Sequence, residues 1–278
     1  MKNNLIINEP LVSAKWLYNN LEAENLVILD ASMNKVTSNA IQSSSEVKIP
    51  QARFFDIKNN FSKINAPFPN TVPSKTQFTY EARALGINNN SAIVVYDDKG
   101  IYSSPRVWWL FKTFGYDNIA VLDGGLPEWK KSNYSLENKK DLNIEIGNIA
   151  LSFRHKYFNF FNDIRNLSNE DQHIIVDARS VQRFEELVEE PREGLRCGII
   201  PNSINLPYTE VLVDNCLRPE AELITIFNTL VDANTHLIFS CGSGITACIL
   251  ALAAYIAGFK NLSVYDGSWT EYGSLILE

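Results

Sequence analysis

The second half of this 278-residue chain repeats landmarks of the first half in the same order. A short apolar run that ends at Asp30 returns as the run that ends at Asp177, and the Ile-Pro pair at Pro50 returns at Pro201. The two members of each pair lie about 150 residues apart, and self-similarity at a fixed period is the signature of repeated structural units. The sequence must therefore fold into a structural unit that is present in two copies.

Two further landmarks complete the repeat. The apolar run that ends at Asp97 corresponds to the run that ends at Cys241, and the Asn-containing stretch through Asp123-Gly corresponds to the one through Asp266-Gly. Four landmarks in the same order indicate a tandem pair of similar domains.

Short apolar, β-branched runs alternate with segments of helical period in each copy, such as residues 104–114 and 246–257. Near-continuous apolar strands separated by helices predict a mostly parallel sheet that is covered on both faces. We therefore predict an α/β fold of two tandem domains, each a mostly parallel sheet flanked by helices. Their expected bounds are residues 1–140 and 157–278, with a polar linker over residues 141–156.

Charge and hydropathy exclude several classes of function. The chain has 25 Lys and Arg against 32 Asp and Glu, a net charge of −7, so we expect neither nucleic acid nor an anionic membrane as a partner. The first residues lack the apolar region of a signal peptide, and the longest apolar run, residues 247–257, is too short to span a bilayer. These features favour a cytoplasmic protein.

The four cysteines form no C-x-x-C pair, and the three histidines are not spaced with other ligands, so we expect no disulfide framework and no metal site. Cys216 and Cys248 are typical of small apolar core residues, whereas the sequence leaves the role of Cys197 open.

Cys241 stands in a different setting, at the start of a glycine-containing loop between an apolar strand and an apolar helix. Ligands bind at the carboxyl edge of parallel sheets, and a helix that begins near Thr246 would direct amide N–H groups and its positive end into this loop. That environment favours a nucleophilic thiolate. The corresponding residue of the first copy is Asp97, which cannot serve as such a nucleophile.

Two other functions of this loop, dinucleotide binding and phosphatase activity, fit the sequence less well. Gly242, Gly244 and Ala247, followed by Asp266, fit a dinucleotide-binding fingerprint, but only 12 residues follow Asp266, and the first copy lacks these glycines. A cysteine phosphatase would need an arginine six positions after the cysteine, where this chain has Ala247.

The stretch Cys241-Gly-Ser-Gly-Ile-Thr246 resembles the C-G-S-G-V-T loop of the tandem-rhodanese sulfurtransferases, most closely their 3-mercaptopyruvate sulfurtransferase branch. The resemblance covers nearly the whole chain and implies two rhodanese-like domains without a metal or organic cofactor. It implies that Cys241 is the nucleophile and Ser243 a hydrogen-bonding partner of the substrate. The active-site loop would also contain Gly242, Gly244, Ile245, Thr246 and Ala247.

Arg183 and Arg192 occupy the places of the two arginines that bind the mercaptopyruvate carboxylate in this family. Planar guanidinium groups suit a small carboxylate, although two arginines among five glutamates could also form surface ion pairs. Thiosulfate-using relatives carry Arg and Lys after the cysteine, whereas Gly242 and Ser243 favour an uncharged region of the donor next to its sulfur.

The chain departs from the family at two positions, because Lys58 replaces an acidic residue and Asn70 replaces a histidine that are grouped with the loop serine. The expected activity is transfer of sulfur from 3-mercaptopyruvate, through a persulfide on Cys241, to a thiol, a thioredoxin-like protein or cyanide, with release of pyruvate. The alternatives are a thiosulfate sulfurtransferase and a persulfide carrier or binding module of low turnover.

Overall fold

The computed structural model describes residues 4–33, 46–140, 143–167, 173–232 and 234–276. They form two compact units. The first consists of Met1–Ile64, Val72–Arg154 and Asp214–Cys216, and the second of Asn65–Thr71, His155–Val213 and Leu217–Glu278.

Among the described residues up to Arg154, seven strands and four helices lie in the first unit. The strands are β1 (Leu11–Val12), β2 (Leu26–Asp30), β3 (Val47–Lys48), β4 (Arg53–Phe54), β5 (Ala92–Tyr96), β6 (Ile119–Leu122) and β7 (Glu137–Asn138). The helices are α1 (Ala14–Asn19), α2 (Lys75–Ala84), α3 (Ser104–Thr113) and α4 (Gly125–Lys131). Five strands form a parallel sheet in the order β1-β6-β5-β2-β4, and β3 pairs with β7 in antiparallel fashion.

The remaining strands are β8 (Phe158–Asn159), β9 (His173–Asp177), β10 (Ser203–Asn205), β11 (Leu212–Val213), β12 (Cys216–Leu217), β13 (His236–Ser240) and β14 (Leu262–Tyr265). The helices of the second unit are α5 (Phe161–Arg165), α6 (Val181–Phe184), α7 (Glu220–Leu230), α8 (Ala247–Ile256) and α9 (Ser268–Leu275). Its parallel sheet has the order β10-β9-β13-β14-β8.

The two sheets have the same arrangement, with β5 at the centre of one and β13 at the centre of the other. All residues of β5 are buried, because a central strand of a covered parallel sheet meets side chains on both faces. In α3 every residue except Lys112 is buried. Helix α8 is buried except at Tyr255 and Ile256. The predicted α/β fold of two similar units is confirmed.

Strand register fixes where the two corresponding loops begin. Asp30 pairs with Tyr96 in the first sheet, and Asp177 pairs with Ser240 in the second. Asp97 and Cys241, the next residues along the chain, therefore leave the central strand at the same carboxyl edge, which is where ligands bind in such folds.

The segment expected to be a linker lies partly outside the described residues, at positions 141 and 142. From residue 143 to Arg154 it runs along the first unit, where Ile149 is fully buried and its N–H donates to the Ile87 carbonyl at 3.1 Å. Across the residues that the structure describes, no helix is long and apolar enough to cross a bilayer.

Candidate active site

The loop between β13 and α8 contains the predicted nucleophile. Cys241 is buried, with 2% of its surface exposed, and α8 begins six residues later at Ala247. Gly244 has φ +76°, a left-handed conformation that residues with side chains rarely adopt. Gly242 serves another purpose, since a Cβ there would lie 3.1 Å from the Arg183 Nη2 atom. The loop backbone thus permits a close approach of the Arg183 guanidinium.

The start of α9 packs against this loop. Ser268 Oγ accepts the Cys241 N–H at 3.2 Å and lies 4.0 Å from Cys241 Sγ. The N–H groups of Trp269 and Thr270 donate at 2.9 Å to the carbonyls of Cys241 and Gly242. We interpreted Asp266-Gly-Ser only as a marker of the repeat, so the sequence analysis missed Ser268. The available signal was that this turn follows β14, the strand beside β13.

Ser243 is held by two donors within the second unit. Asn70 Nδ2 donates to Ser243 Oγ at 3.0 Å and to the Ser243 carbonyl at 3.2 Å. Arg192 Nη2 donates to the same hydroxyl oxygen at 3.1 Å. A hydroxyl has two acceptor sites and one proton, so these contacts leave its O–H to donate to another group. Asn70, which replaces the family's histidine, thus acts as a hydrogen-bond donor to Ser243. Lys58, which replaces the family's acidic residue, is an exposed side chain of the first unit.

Arg183 lies in the short helix α6, and its Nε and Nη2 atoms both contact the carboxylate of Glu190. Glu190 Oε1 also accepts from Arg179 Nη1 at 2.7 Å, and Arg179 Nη2 lies 2.7 Å from Asp177 Oδ2. The surface ion-pair reading is therefore wrong for Glu190, whose side chain is only 1% exposed. Arg179 and Glu190 are site residues that the sequence analysis missed.

The fully buried Arg179 is surrounded by groups that stabilise its charge. Burial lowers its pKa, but Asp177 and Glu190 outweigh that effect, and the net pKa is raised. Its guanidinium lies 5.0 Å from the ring centre of Trp269, which also has Arg196 at 4.9 Å. These contacts fix the position of Arg179, and through it that of Glu190.

The other loop residues and cysteines have structural surroundings. Ile245 is buried and Ala247 fully so, at the start of α8, while Thr246 is half-buried. Cys248 is fully buried in α8, and Cys216 is half-buried in a setting that raises its pKa to about 11, mainly through burial. Cys248 fits its interpretation as an apolar core residue, whereas Cys216 is only partly buried and does not belong to the core.

The rhodanese-like domain model matches the chain twice, at residues 13–132 and 161–275. The chain is 36% identical to thiosulfate/3-mercaptopyruvate sulfurtransferase 1, mitochondrial, of Arabidopsis thaliana, over 96% of this chain and 76% of that protein. It is also 36% identical to the 3-mercaptopyruvate sulfurtransferase of Mus musculus, over 94% of this chain and 91% of that protein.

A solved structure supports the same relationship. The crystal structure of the Escherichia coli 3-mercaptopyruvate sulfurtransferase SseA, described as having the rhodanese fold, aligns with a TM-score of 0.83 and 32% sequence identity. The alignment covers 94% of this chain and 99% of that one.

Proposed function

This chain belongs to the rhodanese-like family, and from that premise we propose that it is a sulfurtransferase that takes sulfur from 3-mercaptopyruvate through a persulfide on Cys241. The observation that carries the proposal is the placement of two guanidinium groups against the loop that holds the thiol. Arg183 approaches Gly242, and Arg192 donates to Ser243, the two residues that follow the nucleophile. This arrangement suits a small donor with a carboxylate at one end and sulfur at the other.

In the first half-reaction, the Cys241 thiolate attacks the donor's thiol sulfur. An S–S bond forms, the C–S bond of the donor breaks, and its electron pair leaves on carbon as the enolate of pyruvate. That enolate takes up the proton released by the new persulfide, so that pyruvate and a Cys241 persulfide anion are the products. The amide groups of the loop and the positive end of α8 stabilise the negative sulfur in both states.

Ser243 supplies a hydrogen bond to the donor's carbonyl oxygen. Because its oxygen accepts from Asn70 and Arg192, its proton is directed to the substrate, where negative charge develops as the enolate forms. Asn70 cannot exchange a proton as a histidine does, so it orients the serine without acting as an acid or base. A second hydroxyl, Ser268 Oγ, lies 4.0 Å from Cys241 Sγ.

In the second half-reaction, an acceptor thiolate or cyanide attacks the outer sulfur of the persulfide. The S–S bond to Cys241 breaks and its electron pair returns to Cys241, which restores the thiolate. A small thiol and a thioredoxin-like protein are both suitable acceptors. No metal or organic cofactor takes part in either step.

We place this reaction in the cytoplasm. All four cysteines lie in the part of the chain that the structure describes, and none of them forms a disulfide, as is usual in a reducing compartment. The net charge of −7 gives no excess of basic residues for nucleic acid or an anionic membrane, so we expect neither as a binding partner. The small anionic donor depends instead on the local charges of Arg183 and Arg192.

The experiment is pyruvate release from 3-mercaptopyruvate by the purified protein with a thiol acceptor, beside the Cys241→Ser variant. We expect rapid release by the parent and a loss of at least about a thousandfold in the variant, because the hydroxyl is a far weaker nucleophile. A Cys241→Ser protein that keeps its turnover would contradict the proposal.

Thiosulfate in the same assay tests the second candidate function. The name of the Arabidopsis relative includes both donors, so a thiosulfate sulfurtransferase is the alternative to distinguish. Turnover of thiosulfate alone would favour it. A persulfide on Cys241 without pyruvate release would favour a sulfur carrier.

A further inference from the structure

Four charged side chains of the second unit form a continuous chain of contacts from the end of β9 to the nucleophile loop. Asp177 binds Arg179, Arg179 binds Glu190, and Glu190 binds Arg183, which in turn lies against Gly242. The side chains of the first three are at most 1% exposed, whereas that of Arg183 is 17% exposed. The buried end of this series of ion pairs is therefore rigid, and of the four side chains only Arg183 reaches solvent.

Glu190 is the central residue of this series of ion pairs, because it connects the buried Arg179 with the partly exposed Arg183. Its Oε1 accepts from Arg179 at 2.7 Å and from Arg183 Nε at 3.3 Å, while its Oε2 accepts from Arg183 Nη2. Two parallel contacts to a planar guanidinium define its orientation as well as its position. Helix α6, only four residues long, gives the flexible Arg183 side chain little support of its own.

We propose that Glu190 is the positioning residue of the donor site: it holds Arg183 with one edge against its own carboxylate and the other directed to the donor carboxylate. This inference rests on the proposed role of Arg183 in donor binding. Glu190 itself does not contact the donor, because its carboxylate is buried and occupied by the two arginines.

A positioning role and a purely electrostatic role of Glu190 predict opposite outcomes. Removing its negative charge raises the net positive charge beside Cys241, so electrostatics alone would speed the reaction with an anionic reagent. Loss of positioning would slow it, because Arg183 would no longer receive the reagent's carboxylate. Iodoacetate, a small carboxylate that alkylates thiolates, and its neutral counterpart iodoacetamide separate the two effects.

The first experiment measures alkylation of Cys241 by both reagents in the parent, Glu190→Gln and Glu189→Gln. Glu189 is the matched control, since it is the exposed neighbour and its replacement removes the same formal charge. For Glu190→Gln we expect the iodoacetate rate to fall about tenfold, the size of one lost charge-assisted contact. The iodoacetamide rate, which also reports an intact loop, should stay near that of the parent.

Equal or faster reaction of iodoacetate with Glu190→Gln than with Glu189→Gln would overturn the proposal. Glu190→Asp provides a second variant in case the first is poorly folded. It keeps the charge but withdraws the carboxylate by one bond, about 1.5 Å, so that it can no longer reach both arginines. We expect the same selective loss with iodoacetate, and a rate equal to the parent's would also overturn it.

Steady-state kinetics then connect Glu190 with the proposed function. Glu190→Gln should raise KM for 3-mercaptopyruvate about tenfold while leaving the second half-reaction, from preformed persulfide to thiol, unchanged. A parent that alkylates selectively but does not release pyruvate would refute the proposed function and leave the role of Glu190 standing. An unchanged KM in an active Glu190→Gln enzyme would refute the positioning role alone.

Discussion

The loops that follow the two central strands hold different groups at the same place. In the first unit Asp97 Oδ2 accepts N–H groups of Tyr102, Ser103 and Ser104 at 2.9–3.0 Å and the Ser104 hydroxyl at 2.7 Å, although burial raises the pKa of Asp97. In the second unit Cys241 takes the same place after the strand. The same place after the central strand therefore holds a carboxylate that is hydrogen-bonded by its own loop in one unit and a thiol in the other.

A second difference lies in the segment that runs, in each unit, from the aspartate at the end of β2 or β9 to the Ile-Pro pair that follows it. Between Asp30 and Pro50 the sequence contains no arginine, whereas between Asp177 and Pro201 it contains four, at positions 179, 183, 192 and 196. The comparison leads us to expect that donor recognition requires a cationic segment held against the loop as well as the loop itself.

The largest expected effect comes from moving the thiol from the second loop to the first. We expect the Asp97→Cys, Cys241→Ser double variant to release pyruvate no faster than Cys241→Ser, at least about a thousandfold below the parent, because the first unit lacks the arginine segment. Asp97→Cys alone, assayed beside it, shows whether the new thiol disturbs the second unit. Substantial turnover by the double variant would mean that the loop suffices.

The next effect is on stability. Asp97→Ala removes the acceptor of several buried loop N–H groups, and we expect a loss of about 2–4 kcal/mol in the free energy of unfolding, measured with urea. Cys241→Ser, at the corresponding position, should cost less than about 1 kcal/mol, because it replaces a single atom and the Ser268 hydroxyl lies 4.0 Å from that atom. Equal losses in both variants would show that the two loops are organised alike.

The repeat could be predicted from the sequence because it depends on local residue patterns. Apolar strands, Ile-Pro turns and the Gly-containing loop predicted both sheets and the place of Cys241 without knowledge of distant contacts. Glu190 and Ser268 were missed for the opposite reason: nothing in the sequence distinguishes a buried glutamate from Glu189 beside it, and tertiary packing alone brings α9 against the loop. Pairing between distant segments sets these roles.

The smallest expected effect concerns Asp117, where the first copy has an acid and the second has Lys260. Contacts from Arg154 at 2.7 Å and Lys112 at 2.6 Å lower the pKa of Asp117 to about 2. Since Asp117 is about half exposed, Asp117→Asn should reduce the free energy of unfolding by less than about 1 kcal/mol at pH 7.

That difference should also depend on pH in a defined direction. The pKa of Asp117 is about 2 in the folded protein and about 4 in an unfolded chain, so its contribution is present above pH 4 and disappears as the pH falls toward 2. Urea unfolding of parent and variant between pH 6 and pH 2 measures it. Lys260→Asn is the matched control, because lysine stays charged over this range and its effect should not change. A constant Asp117→Asn difference down to pH 2 would show that the ion pairs with Arg154 and Lys112 do not stabilise the first unit.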